Sequence, residues 1–210
     1  MRTLRNAAAT VLAGSVATAF SAALAVGGAN APEAAAATRP TGYEFELPQR
    51  WNDDLAPGSR CATPGRTDTY VSARRRWFKQ TDASSVSNVT DETIPVTHTV
   101  REKRVQTLEV SGTFTPKGDV VKNVSRSYGW NYVREISWAF NQKVGPYLLA
   151  PHTQGRLVWG FVMLDGDAQD VLCGRDQRWA ATGAPYTFSV PEARYSELQV
   201  EADDIIDWGV

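Results

Sequence analysis

Few side chains in this sequence are equipped to act on a bond or hold an ion: His98 and His152, the acids Asp165, Asp167 and Asp170, and the aromatic set Trp130, Tyr132 and Trp138. Neither histidine sits beside a serine or cysteine nucleophile signature, and the chain contains neither Gly-x-Ser-x-Gly nor His-Glu-x-x-His. Local sequence therefore assigns no catalytic residue and implies no cofactor. His98 falls inside an alternating segment, which makes it a partly buried strand residue. Three carboxylates within six residues offer the oxygen-rich chemistry that calcium prefers. Asp165-Gly166-Asp167 is equally the composition of a solvated turn and lacks the remainder of an EF-hand loop, so no metal is assigned. Exposed, the three aromatics would form a platform for a sugar or other ligand. Their alternation with Ser and Asn already supplies a solvent face, which favours burial.

Cys61 and Cys173 are the only cysteines. The compartment decides what they do, and the first 37 residues address it. Arg2 and Arg5 precede an Ala/Val/Leu-rich run from Ala7 to Val26, followed by small residues ending in Ala34 to Ala37. That order is the pattern of a secretory signal peptide, with cleavage after Ala36 or Ala37. No later segment reaches the roughly 18 uninterrupted apolar residues of a spanning helix, so the expected mature chain is soluble and extracellular. In an oxidising compartment one pair of cysteines implies one disulfide.

Removing residues 1–37 takes Arg2, Arg5 and Glu33 from 22 basic and 23 acidic residues, leaving 20 against 22 and a formal charge of −2. Such a balance argues against nucleic acid as a partner. Asn88-Val-Thr90 and Asn123-Val-Ser125 match glycosylation sequons, but the leader has a bacterial character, and both are discounted.

The elements that must position these groups read as strands. Residues 38–60, with Pro40, Pro48, Pro57 and Gly58, form an extended arm with at most one short strand over Tyr43 to Leu47. Residues 61–210 read as a single β domain. Thr69 to Lys79 carries strand signal through Arg74-Arg75-Arg76, a basic face suited to local ion pairs. Two long runs, 96–115 and 120–144, alternate between apolar and polar residues and flank the turn-like Pro116-Lys-Gly-Asp119, which predicts an antiparallel hairpin. Gly155 to Met163 alternates again, followed by shorter strands at Val171–Cys173, Tyr186–Val190 and Leu198–Glu201. No helix longer than two turns is expected, with Val190–Leu198 and Glu201–Trp208 as candidates for short ones. The class is all-β: an elongated antiparallel sheet or sandwich with long strands and one disulfide.

Val86-Ser-Asn88-Val-Thr-Asp91, Pro95-Val-Thr97-His-Thr99, the Ser/Thr-dotted run Gln106 to Thr115, the second long alternating run, and Ala150-Pro151-His152 leading into Gly155-Arg156-Leu157 together give the chain an outline. It resembles secreted β-rich proteins of actinobacteria and, more distantly, the long-stranded domain of aerolysin and epsilon-toxin-like pore formers. The resemblance implies an elongated sheet that binds a glycan or cell surface and can form a homo-oligomer. It departs from the pore formers at Lys122, Arg126 and Arg134, which would place charge on the face that an inserting hairpin turns to lipid. The expected function is non-catalytic binding or assembly at an extracellular surface. An aerolysin-like pore former is the alternative, and an extracellular hydrolase the third reading.

Overall fold

The computed structural model describes residues 44–112, 115–129 and 131–200. The expected leader and the acidic tail lie outside them. The fold is all-β with one short helix. In chain order the elements are β1 (Glu44–Phe45), β2 (Thr67–Asn88), β3 (Ile94–Thr99), β4 (Arg104–Thr107), β5 (Glu109–Val110), α1 (Val120–Tyr128), β6 (Glu135–Trp138), β7 (Lys143–Leu149), β8 (Thr153–Cys173), β9 (Trp179–Ala181) and β10 (Tyr186–Val200).

Three long strands make the frame. β2 has 22 residues, β8 has 21 and β10 has 15. At about 3.3 Å per residue β2 alone runs about 70 Å. The principal sheet has the order β1-β2-β8-β10-β5, with β9 also pairing β8, and every ladder is antiparallel. β8 lies between β2 and β10 and is buried almost throughout, which explains its near-continuous apolar run Leu157 to Leu164. Leu157, Trp159, Phe161 and Met163 face one side, against Val96, Val100, Trp138, Val144 and Leu149. Leu164 and Ala168 face the other, against Val120 and Val124 of α1 together with Val71, Tyr186 and Phe188. The small pairs β3–β7 and β4–β6 supply the first cover and the helix contributes to the second.

The expected hairpin of 96–115 and 120–144 does not form. The first run breaks into β3, β4 and β5, and the second into α1, β6 and β7. β3 pairs β7, β4 pairs β6, and β5 pairs β10. The physical reason lies in Val120, Val124 and Tyr128, whose spacing of four serves an even-numbered strand face and a helical stripe equally. The ends decide between them. Asp119, in extended conformation, accepts a hydrogen bond from the Lys122 N–H, and Gly129 closes the helix at φ 120° with its own N–H on the Ser125 carbonyl. What reads as hairpin turn chemistry at Pro116–Asp119 is a helix N-terminus. Lys122 and Arg126 consequently lie on a helix. Arg126 pairs with Asp54, and Arg134 with Asp119 at 3.1 Å.

The arm strand, the disulfide and the paired arginines are as expected, whereas the turn expected at Asp165-Gly166-Asp167 is mid-strand in β8. Among its described residues the arm carries one two-residue strand, and Leu55 anchors it among Val171, Trp179 and the disulfide. Arg50 holds the arm a second time, its guanidinium over the rings of Tyr70 and Tyr128 while Nη1 donates to the Val71 carbonyl. Cys61 and Cys173 are bridged, with Cα atoms 5.8 Å apart. Each arginine of the basic triplet finds a carboxylate: Arg74 with Asp167, Arg75 with Asp165 and Arg76 with Glu192. The candidate helix Val190–Leu198 is instead strand, part of β10, because its residues pair with β8 across a bulge at Pro191/Ala193 that accommodates Pro191.

Candidate binding cleft

A break in the β2–β8 register builds a mixed aromatic and ionic recess beside a histidine. The register slips between Gln80 and Asp82, leaving Thr81 as the extra residue, and its hydroxyl donates to the Trp159 carbonyl at 3.2 Å. The slip sets Asp82 directly opposite Trp159. β3 lays His98 against the same indole, stacked with ring centroids 4.8 Å apart and planes 27° apart. The strand then ends, and the polar segment Arg101–Lys103 carries the chain to β4, whose first residue, Arg104, grips Asp82 through two parallel bonds of 2.8 and 2.9 Å. Arg104 also reaches Glu102 at 3.1 Å. Together these groups enclose a cleft of about 200 Å³ lined by Asp82, His98, Arg101, Glu102, Arg104 and Trp159.

The electrostatics of the cleft are those of a recognition surface. The Asp82 hydrogen bonds hold the Arg104 guanidinium above its ordinary range. Trp159 is buried, and its indole Nε1–H meets no acceptor among the described residues. A buried donor left open costs about 1–3 kcal/mol. Neighbouring Trp138, by contrast, donates Nε1–H to the Gly160 carbonyl at 2.8 Å.

The sequence-level candidates are not brought together here. Tyr132 and Trp138 are both buried, in different clusters on opposite sides of β8, and Trp130 lies outside the described residues. Buried in this way, Tyr132 and Trp138 present no common platform. Asp165 and Asp167 share one face of β8 and Asp170 projects from the other, as alternation demands. Each already has partners. Asp165 accepts from Arg75 and from the Ser189 hydroxyl, while Asp170 accepts from the Thr69 and Tyr186 hydroxyls at 2.8 and 3.0 Å. No group of three or more potential metal-binding side chains gathers among the described residues. His152 contacts Asp91 at 2.7 Å and ties the β7–β8 turn to the β2–β3 turn, and neither residue lines the cleft.

Both sequon asparagines are structural. The Asn88 Nδ2 donates to the carbonyls of Glu92, Leu149 and Ala150, and the Asn123 Nδ2 donates to Asp68 Oδ1 and the Thr69 carbonyl. Both residues are buried. The folded protein recovered from a glycosylating host is therefore expected to carry no glycan at either position. Intact mass measured before and after glycosidase treatment checks this, and a mass loss mapped to Asn88 or Asn123 would contradict the packing.

Burial works against ionisation of Asp68, but hydrogen bonds from Asn123, the Thr69 N–H and Arg66 outweigh it and lower its pKa below 3.8. Asp165 is likewise lowered: Ser189, Trp77 and Arg75 overcome its burial. Carboxylates lowered in the folded state stabilise it fully above their unfolded value, and that contribution fades as pH falls through the folded values. At the alkaline end burial pushes the Tyr186 phenol up to about 12, against the neighbouring influence of Thr69, and burial also raises Tyr132. Stability held by neutral tyrosines is complete below the unfolded value of 10 and fades as pH rises toward 12. Denaturant midpoints are expected to form a plateau from about pH 5 to 9 and to fall on both sides. A rising midpoint below pH 4 would refute the acid limb.

No protein-family model matches the chain, and no curated protein or solved structure shows significant similarity to it.

Proposed function

We propose that this chain is a secreted, non-catalytic β protein that binds at an extracellular surface through the His98–Trp159 cleft. The observation that carries the reading is the recess itself, where His98 stacks on Trp159 beside Asp82 and Arg104, whose charges satisfy one another. Groups locked in a bidentate pair present fixed polarity to a ligand and are poor agents of proton transfer. The disulfide supports an oxidising compartment, and no helix among the described residues is long and apolar enough to cross a membrane. The test is sedimentation of residues 38–210 with isolated bacterial cell envelopes. Wild-type protein is expected to co-sediment, and His98→Ala and Asp82→Asn are expected to reduce the bound fraction at least tenfold. Equal sedimentation of all three would reject the cleft as the binding site.

A pore former of aerolysin-like design is the second reading, favoured by the length of β2, β8 and β10. Against it, β8 is covered on both faces and β2 carries Arg74, Arg75, Arg76 and Lys79 in its middle. Arg or Lys facing lipid at the bilayer midplane costs roughly 2–4 kcal/mol. Residues 38–210 are accordingly expected to release no dye from lipid vesicles at neutral pH, and efficient leakage would favour the pore.

A further inference from the structure

The cations of this protein are unevenly satisfied. Those of β2 and α1 that lie near acids are paired, as the basic triplet and Arg126 show. Around the β6–β7 turn they are not. The Val100 N–H donates to the Gln142 carbonyl, the Asn141 N–H donates to the Val100 carbonyl, Lys143 stands opposite Thr99, and Arg194 Nη1 donates to Gln142 Oε1 at 3.0 Å. These contacts bring Arg101, Lys103, Lys143 and Arg194 to one turn, and all four are exposed. None has a carboxylate partner among the described residues. The acids of the adjoining cleft, Asp82 and Glu102, are both held by Arg104. In the middle of the turn Phe140 is 64% exposed.

We propose that this turn docks the protein on an anionic phospholipid surface, with Phe140 entering the headgroup region and the four cations meeting lipid phosphates. A bare polyanion would use the charges but gain nothing from the phenyl ring, whereas a membrane interface rewards both. The proposal deepens the surface-binding reading by naming the surface, and it shares Arg101 with the cleft while its other residues lie beside it. Phe140 makes no core contact and Arg101, Lys103 and Lys143 hold no ion pair, so their removal leaves the fold intact.

The experiment is co-sedimentation of residues 38–210 with vesicles of equimolar phosphatidylglycerol and phosphatidylcholine, and with vesicles of phosphatidylcholine alone. Binding to the anionic vesicles only is expected, weakening steeply between 50 and 500 mM salt in the manner of about four screened charges. Arg101→Gln and Lys143→Gln are each expected to lower the partition coefficient about fivefold, and Phe140→Ala about tenfold. Lys122→Gln, an equal loss of charge on α1, should change it less than twofold. Equal binding to neutral vesicles, absence of vesicle binding, or retention of full affinity by Phe140→Ala would overturn the proposal. Envelope binding that His98→Ala abolishes and Phe140→Ala leaves whole, with no vesicle binding, would remove the docking turn and leave the cleft standing.

Discussion

Replacing Cys61 and Cys173 by alanine is expected to cost about 4 to 5 kcal/mol of unfolding free energy, the chain-entropy value for releasing a loop of this size. The bridge spans 112 residues in sequence and brackets the chain from β2 to β8. It also sits inside a small apolar cluster with Leu55, Val171 and Trp179, so the double variant loses packed sulfur as well as the cross-link. The arm feels the change first, because the Cys61 N–H bond to Gln177 and the Gly58 N–H bond to Trp179 lie beside the bridge. Denaturant unfolding of the oxidised protein and the Ala/Ala variant measures the difference. A loss below about 1 kcal/mol would mean that Leu55 and Arg50 secure the arm without the bridge.

Gly160→Ala is expected to be comparably severe, at about 3 kcal/mol or more. A Cβ there would lie 2.0 Å from the Lys79 carbonyl oxygen and 2.9 Å from the Gln80 Cα, both backbone atoms of the paired strand. No rotamer relieves such a clash; β2 and β8 must part at the bulge that positions Asp82, and the Trp138 hydrogen bond to the Gly160 carbonyl goes with it. Gly65→Ala is the informative contrast. Nothing lies within 4 Å of a Cβ at Gly65, and only its φ of +85° opposes the change, so about 1 kcal/mol is expected. Thermal unfolding of the two variants side by side checks the ranking, and equal losses would show that β2 yields locally.

Where one residue pattern admits one geometry, the sequence is readable. Gly155 to Met163 alternates and lies in β8, the arm carries one strand, and the lone cysteine pair is bridged. Val120, Val124 and Tyr128 fit two periods, and the choice falls to Asp119 and Gly129, whose capping geometry is distinguishable from a hairpin turn only once φ and ψ are set. The cleft is harder still. Asp82, His98, Arg104 and Trp159 come from four strands, and Asp82 meets Trp159 only because Thr81 is left over in the pairing. A bulge has no composition of its own, so the signal that could have pointed here was the polar stretch Arg101–Lys103 breaking an otherwise apolar alternation.

The central strand has a temporal consequence. β2 is synthesised early, yet its hydrogen-bonding partner β8 begins only at Thr153, after every element from β3 to β7 has been made. Ladders between such distant segments form slowly, because the intervening chain must be confined before any pairing rewards it. A polypeptide emerging from the ribosome thus cannot close its principal sheet until most of its length is available, and it remains threadable for that interval. That interval is what the secretion proposed above requires of a chain that must pass a translocation channel unfolded.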